Sequence, residues 1–209
     1  MMVPQGVKNV IFDFGAVILD IDGSRTINAF RALGVDEFDS FHEFLHSQGN
    51  QRLFIDIETG AISPSEFRDS IRKIAKKNLL DEAIDNAWNA MLVRYRKERL
   101  DLLQELKTKF RTFLLSNTNI IHWEHFTKML QPFGYKGLHE LFEKDYYSHV
   151  LGMRKPNDDI FMYVVKASNL NPEETLFLDD NLMNIEAAKR LGIHTIQITQ
   201  TVDILNVFG

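Results

Sequence analysis

Short apolar runs and longer amphipathic stretches alternate along this chain, and the alternation is uneven. Val7 to Phe12 is rich in β-branched and aromatic residues and ends at Asp13, with Gly15 two residues on, the pattern of a buried strand. Ala16 to Asp22 stays apolar but alternates with acids, which predicts a hairpin or irregular flap at the end of that strand. From Ser24 to about Arg96 helical spacing dominates. Ser24 is placed to cap a helix carrying Ile27, Phe30 and Leu33 and stopped by Gly34. Phe38, Phe41, Phe44 and Leu45 form the next apolar face, closing near Gly49, and a short segment around Leu53 to Ile55 leads to a turn at Gly60. Ser63-Pro64-Ser65-Glu66 has the form of a capping box with proline at the first helical position, opening a helix with Phe67, Ile71 and Ile74. A further helix, from about Asp81, puts Ile84, Trp88, Met91, Leu92 and Tyr95 on one side.

Beyond Glu98 strand and helix take turns. Leu100, Leu103 and Leu106 mark a helix and Arg111 to Leu115 a strand; Ser116-Asn117-Thr118-Asn119 then opens a helix with Ile121, Trp123, Phe126 and Leu130. Tyr146 to Val150 reads as a strand, Pro156 as the start of a helix with Ile160, Phe161 and Val164, and Thr175 to Leu178 as another strand. A helix with Ile185, Ala188 and Leu191 stops at Gly192, and His194 to Ile198 is the last strand. This order predicts an α/β fold with a doubly wound, largely parallel sheet. Residues 1–22 and 97–209 form the core in this reading, and residues 23–96 form an inserted helical lobe. Ligands of open α/β sheets bind beyond the carboxyl ends of the strands. The insertion begins at that edge, so it reads as a lid hinged near residues 20–24 and 94–98.

Composition narrows the function classes. At 209 residues the chain can bury one good core, or one core and a small second lobe. A net charge of -5 gives no reason to expect nucleic acid or an anionic membrane as partner. Without cysteine there is neither a disulfide nor a thiolate metal site. No basic region precedes a long apolar stretch and no run is long enough for a bilayer, so the expectation is a cytoplasmic protein, a monomer or weak dimer, acting on a small molecule.

Candidate chemistry gathers at the predicted strand ends. Asp13 is a carboxylate nucleophile candidate. Ser116 and Asn117 stand at a helix opening, where a hydroxyl and free backbone N–H groups hold a phosphate oxygen. Lys155 offers a compact positive charge for phosphate and nucleophile. Asp179 and Asp180 form a paired carboxylate that, with Asp13, suits a hard cation such as magnesium. Phosphoryl transfer needs little covalent machinery but much positioning and positive charge. Any one of these groups alone is better explained as a turn residue or structural ion pair; four in this order are not.

Those residues resemble the four motifs of the haloacid dehalogenase-like (HAD) hydrolases. Phe12-Asp13-Phe14-Gly15-Ala16-Val17 matches the first, Leu115-Ser116-Asn117-Thr118 the second, Lys155-Pro156 the third and Asp179-Asp180-Asn181 the fourth. The likeness runs from end to end, with the helical insertion similar to the family's C1 cap on a Rossmannoid core. Leu151 to Pro156, Asp20-Ile21-Asp22 and Thr59 to Ser63 further resemble sugar phosphatases of the α-D-glucose-1-phosphate phosphatase type. The resemblance implies a magnesium-dependent phosphomonoester hydrolase acting on a small phosphorylated metabolite, such as a sugar phosphate. Asp13 would attack phosphorus to give an aspartyl-phosphate that water hydrolyses. Mg2+ would be held by Asp13, the Gly15 carbonyl, Asp179 and Asp180. Ser116 and Lys155 would hold the phosphoryl oxygens, with Phe14, Gly15 and Asn117 lining the phosphate site.

One departure stands out. Most phosphatases of the family carry a second Asp two residues after the nucleophile as general acid and base, and here that position is Gly15. Protonation of the leaving group and activation of water are therefore unassigned, with Asp20 and Asp22 as the acids that could reach in. The departure also keeps a metal-independent 2-haloacid dehalogenase and a non-catalytic phosphate-binding module as alternatives, although the Asp179-Asp180 pair favours a metal and a phosphoryl substrate. His42 with His46, and His122 with His125, have the spacing of helix-surface pairs, and Trp88 and Tyr95 read as core.

Overall fold

The computed structural model describes residues 2–35 and 50–209. The expected apolar face of Phe38, Phe41, Phe44 and Leu45, and the pair His42 and His46, lie outside the described residues. The core is a five-stranded sheet made of β1 (Asn9–Phe12), β4 (Arg111–Ser116), β5 (Lys144–Tyr147), β6 (Thr175–Asp179) and β7 (His194–Gln197), in the order β5-β4-β1-β6-β7. Every neighbouring pair is parallel, with Phe12 opposite Leu114 on one side and Leu178 on the other. β1 is therefore central, and the chain reverses direction across it. That reversal opens a crevice at the strands' carboxyl ends.

The apolar runs are continuous because both faces of the sheet are covered. Alternate residues leave a strand in opposite directions. Val10, Phe12, Leu114, Leu176 and Leu178 accordingly join one core with Leu100, Leu103 and Leu106 of helix α5 (Lys97–Leu106). Ile11, Phe113, Leu115 and Phe177 join the other, against Ile160, Phe161 and Val164 of α8 (Asp158–Ala167) and Ile185 and Ala188 of α9 (Leu182–Arg190).

A third apolar cluster belongs to the inserted segment. It combines Ile27 and Phe30 of α1 (Gly23–Ala32), Phe54 and Ile57 of α2 (Asn50–Glu58), Phe67 and Ile71 of α3 (Pro64–Ala75), and Ile84 and Trp88 of α4 (Asp81–Asn89). It touches the core through Ile121 of α6 (Ile120–Lys128). The capping box at Ser63 and Glu66 forms as the sequence implies.

Several local expectations are corrected. Asp22, not Ser24, caps α1, its side chain accepting from the Ser24 N–H. The segment around Phe54 is a full helix. The helix from Asp81 ends at Asn89, and Leu92–Tyr95 is a strand, β3, paired antiparallel with β2 (Leu19–Ile21). The run from Ile84 to Tyr95 fits helical spacing, but the chain must turn back toward the core after Asn89, and pairing with β2 satisfies its backbone there. Both chain crossings between core and insertion thus run through one two-stranded ribbon. Asp22 N also donates to Met91 O, and the Thr26 hydroxyl donates to Trp88 O and accepts from Met91 N, at 2.9–3.2 Å. Strand β5 ends at Tyr147, and Ser148–Leu151 is a short helix, α7. Helix α8 starts at Asp158, with Pro156 in the preceding turn rather than at its first position. No described helix is long and apolar enough to cross a membrane.

Candidate active site

Four loops leave the carboxyl edge of the sheet side by side and bring the candidate residues together. Asp13 follows β1 directly, its N–H donating to Leu178 O at 2.8 Å, so the last turn of the ladder fixes its backbone. Asp179 ends β6 and is fully buried. Between them stands Lys155, 1% exposed, whose Nζ donates to Asp13 Oδ1 at 2.5 Å and to Asp179 Oδ2 at 2.7 Å. Its ammonium also lies over the Phe177 ring, 5.4 Å from the centroid.

The position of Lys155 is set by Asn117. The Asn117 amide donates to Lys155 O and accepts from Lys155 N, both at 2.9 Å, which clamps one loop onto the other. The side chain expected to line a phosphate site is therefore engaged in holding the lysine. Ser116, at the end of β4, is buried, and the next loop is held by Ser148, whose hydroxyl accepts from Thr118 N and donates to Thr118 O. Helix α6 starts later than the sequence suggests, with Asn119 as its cap accepting from His122 N.

Asp179 has further partners. Asn184 Nδ2 lies 3.0 Å from both its carboxylate oxygens, and Asn181 N donates to Oδ1 at 2.8 Å. Asn181 closes the fourth motif read from the sequence, whereas neither Asn184 nor Ser148 was singled out there. Asn184 lies one helical turn past the Asp179-Asp180-Asn181 motif, the spacing at which a helix folds back on the residues before its cap.

Charge does not balance here. One carboxylate oxygen from each of Asp13, Asp179 and Asp180 lies within 4.8 Å of the other two, and among the described residues Lys155 is the cation that pairs with Asp13 and Asp179. Burial pushes the Asp13 carboxyl up to about 7; Lys155 works against the rise and the Asp179 charge adds to it. Burial works against the Lys155 charge, but Asp13 and Asp179 outweigh it and the lysine pKa is raised. Asp180, although at the surface, is also held above the usual range by partial loss of water and by Asp179. Three hard carboxylate oxygens with excess negative charge fit a divalent cation such as magnesium. Gly15 adds no side chain to this group; a Cβ built there meets only Ile21, at 3.5 Å.

This arrangement matches a known architecture. The model of the haloacid dehalogenase-like hydrolase family matches residues 7–192. The chain belongs to that family. D-ribitol-5-phosphate phosphatase of Bacteroides thetaiotaomicron is 34% identical over 196 residues, 91% of each chain. A HAD family enzyme from the same organism, solved in complex with magnesium and inorganic phosphate, superposes with a TM-score of 0.89 at 36% identity, covering 97% of this chain and 100% of that one. A HAD-like hydrolase from Porphyromonas gingivalis gives a TM-score of 0.86 at 32% identity, covering 98% of this chain and 97% of the other. The parallel sheet and the acidic cluster are thus those of a HAD enzyme.

The two acids that could reach in where the second aspartate of the HAD motif is missing are otherwise engaged. Asp20 takes contacts from Arg94, Arg96 and Arg99 at 2.9–3.1 Å. Burial acts to raise its carboxyl, but the hydrogen bonds from Arg96 and Arg94 and the charges of Arg96 and Arg99 hold it below the usual range. Asp22 accepts from the Ser24 hydroxyl and N–H, which also hold it low. Both are committed to the ribbon and the first helix cap.

A small cavity of about 130 Å³ opens beside the cluster, lined by Phe14, Gly15, Ser116, Asn117 and Thr118 from the core and by Glu58, Trp88 and Met91 from the insertion. His122 lines it too and corrects a further expectation. It is not at the helix surface but 8% exposed, stacked on Trp88 at 4.7 Å with Nε2 3.2 Å from Trp88 O. Burial drives its pKa down to about 4, against the Trp88 carbonyl, which favours the charged form. His125 is half-buried in the groove between α4 and α6.

Proposed function

We propose that this chain hydrolyses phosphomonoesters of small sugars or sugar alcohols with magnesium as cofactor. The observation that carries the reading is the triangle of Asp13, Lys155 and Asp179, with Asp180 beside it, at the open end of the central strand. The substrate class rests on the phosphatase and phosphate-bound relatives, and on the polar edges that Glu58, Asn117, Thr118 and His122 bring to a pocket otherwise walled by Trp88, Met91 and Phe14.

Asp13 is the nucleophile in this mechanism. Lys155 draws one of its oxygens into place, leaving the other for in-line attack on phosphorus, and the P–O bond to the alcohol breaks as an aspartyl-phosphate forms. Asn117 holds Lys155 through its backbone, so the ammonium stays beside the nucleophile, where it would also attract a phosphoryl oxygen. Ser116 offers its hydroxyl and the loop N–H groups to the same oxygens. Magnesium held by Asp13, the Gly15 carbonyl, Asp179 and Asp180 would withdraw charge from the transferring group. The helical insertion, residues 23–96 in this reading, closes over the pocket as a cap and supplies the residues that select the alcohol.

The reading is tested with purified protein and 4-nitrophenyl phosphate, with magnesium and after exhaustive chelation, beside the Asp13→Asn variant. Turnover that needs the cation and disappears in a natively folded Asp13→Asn protein is expected. Undiminished turnover in either condition, or halide release from a 2-haloacid without metal, would replace it.

A further inference from the structure

The site described above has a nucleophile, a lysine and a cation cluster but no acid at Gly15 to protonate a departing alcohol. Alkoxides are poor leaving groups, and a positioned acid contributes about 10² to 10⁴ in rate. The cavity shared by Gly15 and Ser116 contains one carboxyl among its described lining residues, that of Glu58 at the end of α2.

The setting of Glu58 is that of a held acid. Arg154 Nε and Nη2 lie 3.1 and 2.9 Å from Oε2, and Oε1 has no hydrogen-bond partner among the described residues. Arg154 precedes Lys155 in the chain, so the loop that positions the nucleophile's ammonium also positions Glu58. The turn after α2 packs on the core: Gly60, at φ +67°, lies so close to the His149 carbonyl that a Cβ would stand 2.4 Å from its oxygen. Burial raises the Glu58 carboxyl above the usual glutamate range, outweighing Arg154 and Lys155, which favours its acid form relative to a glutamate in water. The other ionisable side chain in the cavity, His122, is neutral and tied to Trp88 O, a poor proton donor.

We propose that Glu58 is the proton donor and acceptor of this active site. It rests on the phosphatase reading above. In the first step Asp13 bonds to phosphorus, the electron pair of the breaking P–O bond passes to the ester oxygen, and Glu58 gives that oxygen its proton, releasing the alcohol. In the second step the Glu58 carboxylate takes a proton from water as the water oxygen bonds to phosphorus. The P–O bond to Asp13 breaks, its electron pair returns to the carboxylate, and inorganic phosphate leaves. Glu58 ends protonated, as it began. An acid delivered by the insertion acts only when the insertion is seated on the core, which couples closure to chemistry.

The test compares 4-nitrophenyl phosphate with benzyl phosphate, two aromatic esters without sugar hydroxyls whose leaving oxygens differ widely in acidity. In the magnesium-loaded protein, Glu58→Gln is expected to lower kcat/KM for benzyl phosphate at least 100-fold and for 4-nitrophenyl phosphate less than about 3-fold. Arg154→Gln, which keeps the acid but removes the partner that holds it, should lower benzyl phosphate more than 4-nitrophenyl phosphate, and equal losses on the two would count against the proposal. Equal losses on both esters in Glu58→Gln would make Glu58 a seat for the loop and overturn the proposal, as would an unchanged benzyl rate. Wild-type protein inactive on both esters would instead overturn the phosphatase reading itself.

Discussion

Protonating His122 should cost this protein stability on mild acidification, by an amount the structure allows to be worked out. The side chain is 8% exposed, sandwiched against Trp88, and its pKa falls from 6.5 to about 4 because burial disfavours the cation. In the unfolded chain it titrates normally. The folded state therefore binds fewer protons than the unfolded state between these values, and stability must fall as pH falls. Each pH unit between the two pKa values is worth about 1.4 kcal/mol. Nothing is lost above pH 7; at pH 5 the loss is about 2 kcal/mol, and it saturates near 3 kcal/mol below pH 4. Other groups titrate in the same range, so the informative quantity is the difference between wild type and His122→Gln, which keeps a side-chain N–H for Trp88 O but cannot be protonated. Urea unfolding at pH 8, 7, 6 and 5, in chelator, measures it. With an m-value of about 2 kcal/mol/M, the wild-type midpoint should fall by about 1 M more than that of the variant between pH 8 and pH 5. Whatever His122→Gln costs at pH 8, it is the widening or narrowing of the gap that counts. Curves that run parallel over this range would mean that the imidazole accepts its proton without leaving the stack, and the reasoning from burial would be wrong.

Lys155→Met should lower the urea midpoint in chelator by an amount equivalent to about 3–5 kcal/mol, because it leaves the buried Asp13 and Asp179 carboxylates uncompensated. Adding Asp13→Asn should recover part of that loss; no recovery would show that the lysine contributes packing rather than charge. Gly15→Asp should accept its side chain, since a Cβ there meets only Ile21 at 3.5 and 3.8 Å, and in a Glu58→Gln background it should raise kcat/KM for benzyl phosphate at least 10-fold. An unchanged benzyl rate in that correctly folded double variant would mean that an acid at position 15 does not reach the leaving oxygen.

Much of the fold was legible because its signals are local. A strand of four to six residues announces itself by β-branched and aromatic runs, and here five of them recur between helical spacings, which leaves a parallel sheet as the economical arrangement. The placing of the candidate residues was legible for the same reason. Asp13, Ser116 and Asp179 each sit at a strand's end or one residue beyond it, and strand ends in a parallel sheet all reach one edge; Lys155 lies in the loop before α8. Where helical and strand spacing overlap, local signals failed: Leu92 and Tyr95 fit the face of the preceding helix, and only pairing with Leu19–Ile21 decides that they are strand.

The sequence by itself therefore determined the sheet, the order of the loops that carry the candidate site and the residue types at their tips, because each depends on neighbours a few positions away. Tertiary structure alone decided which carboxyl accompanies Gly15. Asp20 and Asp22 are closer in the chain, but three arginines and a helix cap hold them, whereas Glu58 arrives 43 residues later on the far side of the pocket. The same holds for His122, whose spacing with His125 suggests a surface pair until Trp88 of another helix covers it. Burial, and with it the protonation of a carboxyl or an imidazole, is set by what packs against a residue from distant parts of the chain, and no local pattern records that.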